Sequence, residues 1–427
     1  MWMYFPILRR NPKYRLLCVI AILLWMLITM AVFHRPAHTK LVQFSPLELS
    51  NPEPINIINK EYVPLIHQPF TSFLIRGIVI FYPHDQEHVF LSELFWLFRS
   101  WIEMMKDEPP SWRTDLVIYT GVFTRNLQQL GCVFNRIRID RKERPQCRVF
   151  PYKRIHLRDL NDKKDTDDHL FQQFDLERSI LLKKHLQTYE YVDSINIIAE
   201  CYTSFAMYDY ILRTDIDVFL TRYFGRFVPF NATLLVGRGG YSTPFNTARL
   251  RRIATNMEWL YANITNIGST WYGPPRLAQR IANFSLKAML HLSINEFTEP
   301  ERQRKMGVLL WPDWYYGVLL LYSCELAINH LKLSENISLG LAYTFLDQST
   351  TDTDQYDMEK NNRLHLHSWH TFERFSKFDF KAGKYNRIHP RKFMMDASAR
   401  GYAMRMALES RLMSHAGLKA ELMNAKQ

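Results

Sequence analysis

The stretch 205–221, Phe-Ala-Met-Tyr-Asp-Tyr-Ile-Leu-Arg-Thr-Asp-Ile-Asp-Val-Phe-Leu-Thr, constrains the fold more than any other part of the chain. Its apolar and aromatic residues at 208–212 have the composition of a short strand buried on both faces. Two acids follow directly, Asp215 and Asp217. A strand that ends in acids delivers them to the carboxyl edge of a sheet, where open α/β sheets bind ligands. Two hard oxygen donors one residue apart suit Mg²⁺ or Mn²⁺, and such a cation can hold a diphosphate. The same Asp-x-Asp spacing recurs at Asp165/Asp167 and Asp352/Asp354, both in polar surroundings typical of solvated loops. Only the Asp215 copy has a buried strand leading into it.

The sequence before it reads as the opening of a parallel α/β sheet. Residues 75–82 form a strand candidate closed by Pro83. Phe90, Leu94, Leu97, Phe98, Trp101, Ile102 and Met105 then recur at helical spacing, with Asp85 available as N-cap. A second strand candidate covers 115–120. Strand, amphipathic helix and strand imply a right-handed crossover between parallel neighbours. Another strand is expected at 147–152 and a helix at about 174–187. With 47% apolar residues, among them 28 Phe, 22 Tyr and 10 Trp, the chain can fill a large core.

A membrane anchor is expected at the N-terminus. Residues 16–33 contain Thr29 as their only clearly polar member. At ~1.5 Å per residue they span roughly 27 Å, close to the hydrocarbon thickness of a bilayer. A cleaved signal peptide fits less well, because Phe33-His34-Arg35-Pro36 is a poor cleavage site. Arg9, Arg10, Lys13 and Arg15 precede the span, so the positive-inside rule keeps the N-terminus cytoplasmic and sends the remainder across. Residues 34–72 carry six prolines without sustained periodicity, the composition of an extended stem. The expected organisation is a cytoplasmic tail (1–15), a signal anchor in the lipid bilayer (16–33), the stem (34–72), a lumenal domain (73–390) and a methionine-rich helical tail (391–427). Such a type II protein would reside in the Golgi or endoplasmic reticulum membrane.

The formal charge of +12 invites a nucleic-acid reading, concentrated in the basic run 136–158. Lumenal topology argues against nucleic acid, and Asp140, Glu143 and Asp159 are interleaved with the bases, as on a mixed solvated surface. Attraction of an anionic acceptor or a nucleotide diphosphate is the sharper alternative. Outside the span, Cys132, Cys147, Cys201 and Cys324 permit two disulfides in an oxidising lumen, Cys132 and Cys147 being the nearer pair. Glycosylation sequons occur at Asn231, Asn263, Asn283 and Asn336.

Four further segments offer chemistry. Residues 234–241 read as a strand entering a glycine-rich turn without the spacing of a phosphate loop, as expected where positive φ is needed. Aromatic loops at 271–275 and 311–322 are candidate sugar platforms. Asp313 is the acid inside the second; if partly buried, its pKa would rise toward that of a general base. Alternation places His365 and His367 on one face of a strand, with His370 on the exit loop. One imidazole beside two carboxylates makes a plausible divalent-cation site.

A signal anchor, a proline-rich stem and an Asp-x-Asp closing a buried strand resemble Golgi glycosyltransferases of the GT-A fold. The resemblance implies a mixed, mostly parallel sheet flanked by helices and a UDP- or GDP-linked sugar donor. It implies Mn²⁺ or Mg²⁺ held by Asp217, Asp215 at the ribose or in the metal shell, and a glycan, protein or lipid hydroxyl as acceptor. Tyr315-Tyr-Gly-Val-Leu-Leu320 is similar to a family turn around Gly317, although two tyrosines replace Asn-Ser. Gly317 and Arg213, beside the paired acids, would then serve donor binding. Asp347-Gln348 resembles a catalytic Asp-Gln pair, and His367 a late metal ligand. A catalytically silent carbohydrate-binding scaffold and a metal-dependent hydrolase are the alternatives.

Overall fold

The computed structural model describes residues 73–134, 143–160, 175–229, 233–303, 313–340, 345–356, 358, 362–368 and 375–425. The expected anchor and stem lie outside these residues. Among those described, no helix is long and apolar enough to cross a membrane.

Eleven strands are described: β1 (Leu74–Phe81), β2 (Trp112–Thr120), β3 (Val133–Phe134), β4 (Cys147–Pro151), β5 (Tyr210–Arg213), β6 (Val218–Leu220), β7 (Leu234–Arg238), β8 (Ile267–Gly273), β9 (Leu339–Gly340), β10 (Gln348–Ser349) and β11 (His365–His367). Eight of them form a sheet in the order β3-β4-β2-β1-β5-β8-β7-β9, in which β8 runs antiparallel to both its neighbours and the other adjacent pairs are parallel. A second sheet, β10-β11-β6, stands beside its carboxyl edge. The longer helices used below are α1 (Glu87–Met105), α2 (Val192–Glu200), α3 (Pro275–His291), α4 (Leu319–Ser334), α5 (Ala399–Leu412) and α6 (His415–Asn424).

Side-chain alternation along the central strands fills two cores. Ile75 and Val79 of β1, Val117 and Tyr119 of β2 and Ile211 of β5 face one layer with α2, α3 and α4. Ile78, Ile80, Leu116, Ile118 and Leu212 face the other, covered by the Leu94–Leu97–Trp101 stripe of α1. Near-continuous apolar strands arise because both faces are covered. A third cluster joins Trp96 of α1 to Phe219 and Leu366 of the small sheet and to Met404, Ala407 and Leu408 of α5. The segment 391–425 is thus packed, not trailing: Arg99 pairs with Glu409 at 2.6 Å and Tyr402 Oη donates to the Leu220 carbonyl at 2.6 Å.

Three local expectations need correction. Asp85 does not cap α1; a 3₁₀ turn (His84–Gln86) precedes the helix, and Asp85 pairs with Arg154 at 2.8 Å. The basic run is only in part a solvated surface where it is described: Arg144 is exposed, but others are not. Arg148, Arg154 and Arg158 are buried and pair with Asp115, Asp193 and Glu200. The glycines around 237–240 do not adopt positive φ; positive-φ glycines among the described residues are Gly131 and Gly383.

Cys132 and Cys147 form a disulfide across 15 residues, while Cys201 and Cys324 are buried free thiols. Cross-linking a loop of that length restricts the unfolded chain by about 3 kcal/mol. The double variant Cys132→Ser/Cys147→Ser is expected to lose about that much stability in guanidinium titrations under oxidising conditions. An unchanged midpoint would mean that the bridge does not constrain the unfolded chain.

Candidate metal and donor site

β1 is flanked by β2 on one side and β5 on the other, so the connections diverge between β1 and β5. A crevice outside the carboxyl ends of strands at such a switch point is the general ligand site of open α/β sheets. Here it is a cleft of about 290 Å³, with Phe81, Asp215, Asp217, Gly317, His367 and Lys377 among its walls.

The acids occupy the turn between sheets. β5 ends at Arg213, and the chain crosses through Thr214–Asp217 into β6. β6 pairs antiparallel with β11, and the register sets His367 opposite Val218. That register carries the His367 ring to Asp217, with Nε2 3.2 Å from Oδ1. Asp215, Asp217 and His367 present one donor atom each within 4.8 Å of one another. Two carboxylate oxygens and an imidazole nitrogen are a donor set suited to Mn²⁺ or Mg²⁺.

Lys377 Nζ lies 2.6 Å from Asp217 Oδ2. Burial opposes ionisation of Asp217, but Lys377 and His367 outweigh it and hold the carboxyl well below the ordinary range. The ammonium places a positive charge beside the paired acids, on a flexible stem.

Behind His367 is a second layer of polar groups. Asp347 Oδ1 is 3.4 Å from His367 Nδ1 and accepts the Thr270 hydroxyl at 2.6 Å. The Asp347 backbone N–H donates to His365 Nδ1 at 3.2 Å, so the His365 proton sits on Nε2 and is donated to Thr214 Oγ1 at 2.8 Å. Burial pushes His365 down to about 4, keeping it neutral in that network. Asp347 is buried with φ +52, the left-handed region that ordinary side chains avoid. Its carboxylate rests against two glycines: a Cβ on Gly237 would lie 1.7 Å from Oδ2, and one on Gly268 2.5 Å from it. Those glycines serve close approach and not a turn.

The structure brings Asp215, Asp217, His367 and Gly317 to one cleft and places the other expected residues elsewhere. Asp347 is not among the groups lining the cleft; it contacts the His367 ring from behind. Arg213 is fully buried, and Ser194, Ser269 and Asp215 take its guanidinium, so it fixes Asp215 and does not reach a donor. Asp313 is exposed in the turn before Trp314 and not buried among the aromatics. Trp271, Trp314, Tyr316 and Tyr322 are core residues, not open sugar platforms. His370 lies outside the described residues.

Sequence reasoning missed Glu93, Lys377 and Tyr191. Glu93 is buried on the apolar stripe of α1, lines the cleft and pairs with Lys381 at 2.5 Å. Its signal was present: an acid three residues after Phe90 and four before Leu97. Tyr191 is an exposed aromatic at the rim of the cleft. No pattern marked Lys377.

Burial, and after it Asp217, pushes the Glu93 carboxyl up to about 7. The folded state then holds a proton that the unfolded chain releases near 4.5. The contribution is full below about 4.5 and is lost as pH rises through about 7. Glu93→Gln is therefore expected to flatten the decline of stability across that window. Denaturant titrations at several pH values check it, and parallel curves for the two proteins would exclude Glu93 as the source.

Fold and site together define a mixed α/β protein with a carboxylate–imidazole cleft at the switch point of its sheet. The chain belongs to the DUF7164 family, described as a domain of unknown function, which matches residues 71–427. No curated protein matches the chain. Among solved structures it is similar to the apo WbbM bifunctional glycosyltransferase, at 10% identity and a TM-score of 0.37, over 82% of this chain and 53% of that one. It is also similar to apo mouse xyloside xylosyltransferase 1, at 12% identity and a TM-score of 0.33, over 69% of this chain and 98% of that one. The chain thus spans about half the length of the WbbM structure. Likenesses at these scores carry no weight on activity.

Proposed function

We propose that this protein is a metal-dependent glycosyltransferase that moves a sugar from a UDP- or GDP-linked donor to a hydroxyl acceptor on a glycan, protein or lipid. The observation that carries the reading is the convergence of Asp215 and Asp217, at the end of the central strand, with His367 from a second sheet beside Lys377. A divalent cation held by the first three supplies Lewis-acid neutralisation of a departing diphosphate. Lys377, released from Asp217, adds a mobile positive charge toward the same phosphates. Arg213 and Asp347 keep Asp215 and His367 in place, and Tyr191 offers an apolar ring face to a pyranose at the cleft mouth. Residues 16–33 anchor the chain in a Golgi or endoplasmic reticulum membrane with the cleft on the lumenal side.

Thermal shift of the detergent-solubilised full chain tests the reaction class, with Mn²⁺ alone and then with Mn²⁺ plus UDP or GDP. Synergy between metal and nucleotide is expected. Stabilisation by metal alone would turn the reading to a hydrolase, and no stabilisation to a silent scaffold. Protease protection in microsomes tests the topology; digestion of the C-terminus without detergent would overturn it.

A further inference from the structure

Three sequons fall among the described residues, Asn263-Ile-Thr265, Asn283-Phe-Ser285 and Asn336-Ile-Ser338, and the structure sorts them. Asn263 and Asn336 are exposed in loops outside the helices, with φ +59° and +48°. The Asn263 amide oxygen accepts from the exposed Arg251 at 2.9 Å, a surface bond that water replaces at little cost. Asn283 differs in every respect. It sits in the body of α3, half-buried, and its amide oxygen takes Arg178 Nη1 at 2.6 Å. Ser285 of the same sequon is fully buried with Cys324 Sγ 3.8 Å from its hydroxyl. An oligosaccharide on Asn283 would occupy the space in which the helix Leu176–Leu186 packs against α3.

Asn336 also stands clear of the cleft. Leu320 and Leu321 at the start of α4 line the cleft, whereas Asn336 follows its far end. From Leu321 to Ser334 the helix rises roughly 20 Å. Asn336 lies three residues before β9, which among the described residues pairs with β7 alone and ends the eight-stranded sheet. An unprotected edge strand is a template for pairing with another chain, and proteins cover or charge such edges.

We propose that Asn263 and Asn336 carry N-linked oligosaccharides, that Asn283 carries none, and that the Asn336 glycan shields the β9 edge. The inference rests on the lumenal topology proposed above. In the transfer, the anomeric carbon of a polyprenyl-diphosphate-linked oligosaccharide forms a bond to the asparagine amide nitrogen. Its bond to the diphosphate oxygen breaks, the amide gives up one proton, and polyprenyl diphosphate leaves.

The test is expression of the full chain in secretory eukaryotic cells, in an Asn231→Gln background so that the remaining sequons are read alone. Peptide mapping and glycosidase-sensitive mobility are compared for Asn263→Gln, Asn283→Gln and Asn336→Gln. One glycan should vanish with the first and third, and none with the second. A glycan on Asn283 of the folded protein, or a bare Asn263 or Asn336 in a chain protected inside microsomes, overturns the assignment while the topology stands. A chain digested without detergent overturns both. Light scattering of the detergent-solubilised chain reads the shielding role: Asn336→Gln should associate into larger species and Asn263→Gln should not. Equal size distributions would remove that role.

Discussion

Asp217→Asn is expected to lower turnover on the order of 10²-fold or more, because a carboxylate that binds the cation stabilises charge developing in the transition state. Release of nucleoside diphosphate from a panel of nucleotide-sugars measures that loss. Mn²⁺ titration followed by paramagnetic resonance measures the accompanying loss of affinity. The variant should also be less stable at neutral pH, since Asp217 has two firm partners in Lys377 and His367. Its carboxyl is held well below the ordinary value of 3.8, so it contributes stability above that pH, and the contribution fades as pH falls through its folded pKa. The amide lacks that contribution, and the gap between the proteins should close in acid. Wild-type Mn²⁺ affinity in Asp217→Asn would sink the site.

The second large effect is expected from a methyl group. Gly237→Ala places a Cβ where the Asp347 carboxylate now lies, 1.7 Å from Oδ2. Asp347 must move, and with it the group that orients His367. Overpacking of this kind costs about 1–3 kcal/mol, and loss of an outer carboxylate partner weakens metal binding about 10–100-fold. Gly240→Ala is the control: nothing lies within 4 Å of its added carbon. Denaturant unfolding and Mn²⁺ titration should separate the two variants clearly. Gly237→Ala behaving like Gly240→Ala would show that the close seat of Asp347 is dispensable.

These two sites differ in how they can be read from sequence. β1, β2, β4 and α1 were legible because each carries enough apolar residues for its period to show, and burial on both faces makes the strands uniform. β6 and β10 have two or three residues each, too few for periodicity, and β6 meets β11, which the His-x-His alternation does mark, only after a long excursion of chain. The pairing that joins Asp217 to His367 is therefore non-local and leaves no local trace. His367 could still be chosen because its residue type suits a metal. Lys377 could not, since nothing in the sequence sets it apart from the neighbouring Lys381 and Lys384. Arg213 and Asp313 went astray for one reason: proximity in sequence to acids or aromatics says nothing about which side of the backbone faces the cleft. Gly237 reads as a turn residue from sequence because glycine spacing cannot distinguish positive φ from contact with a distant carboxylate.

The packing of α5 against α1 and the small sheet bears on when the site comes into existence. Asp215 and Asp217 leave the ribosome long before His367, and α5, whose Tyr402 holds the β6 carbonyl, emerges later still. At roughly 5–20 residues per second the interval from Asp217 to the end of α5 is on the order of 10–40 s. Until His367 and Lys377 follow, the paired acids stand at an unfinished edge with neither imidazole nor ammonium beside them. A premature stop just after His367 would leave all three candidate ligands in the sequence but neither Lys377 beside Asp217 nor the α5 contact that holds β6.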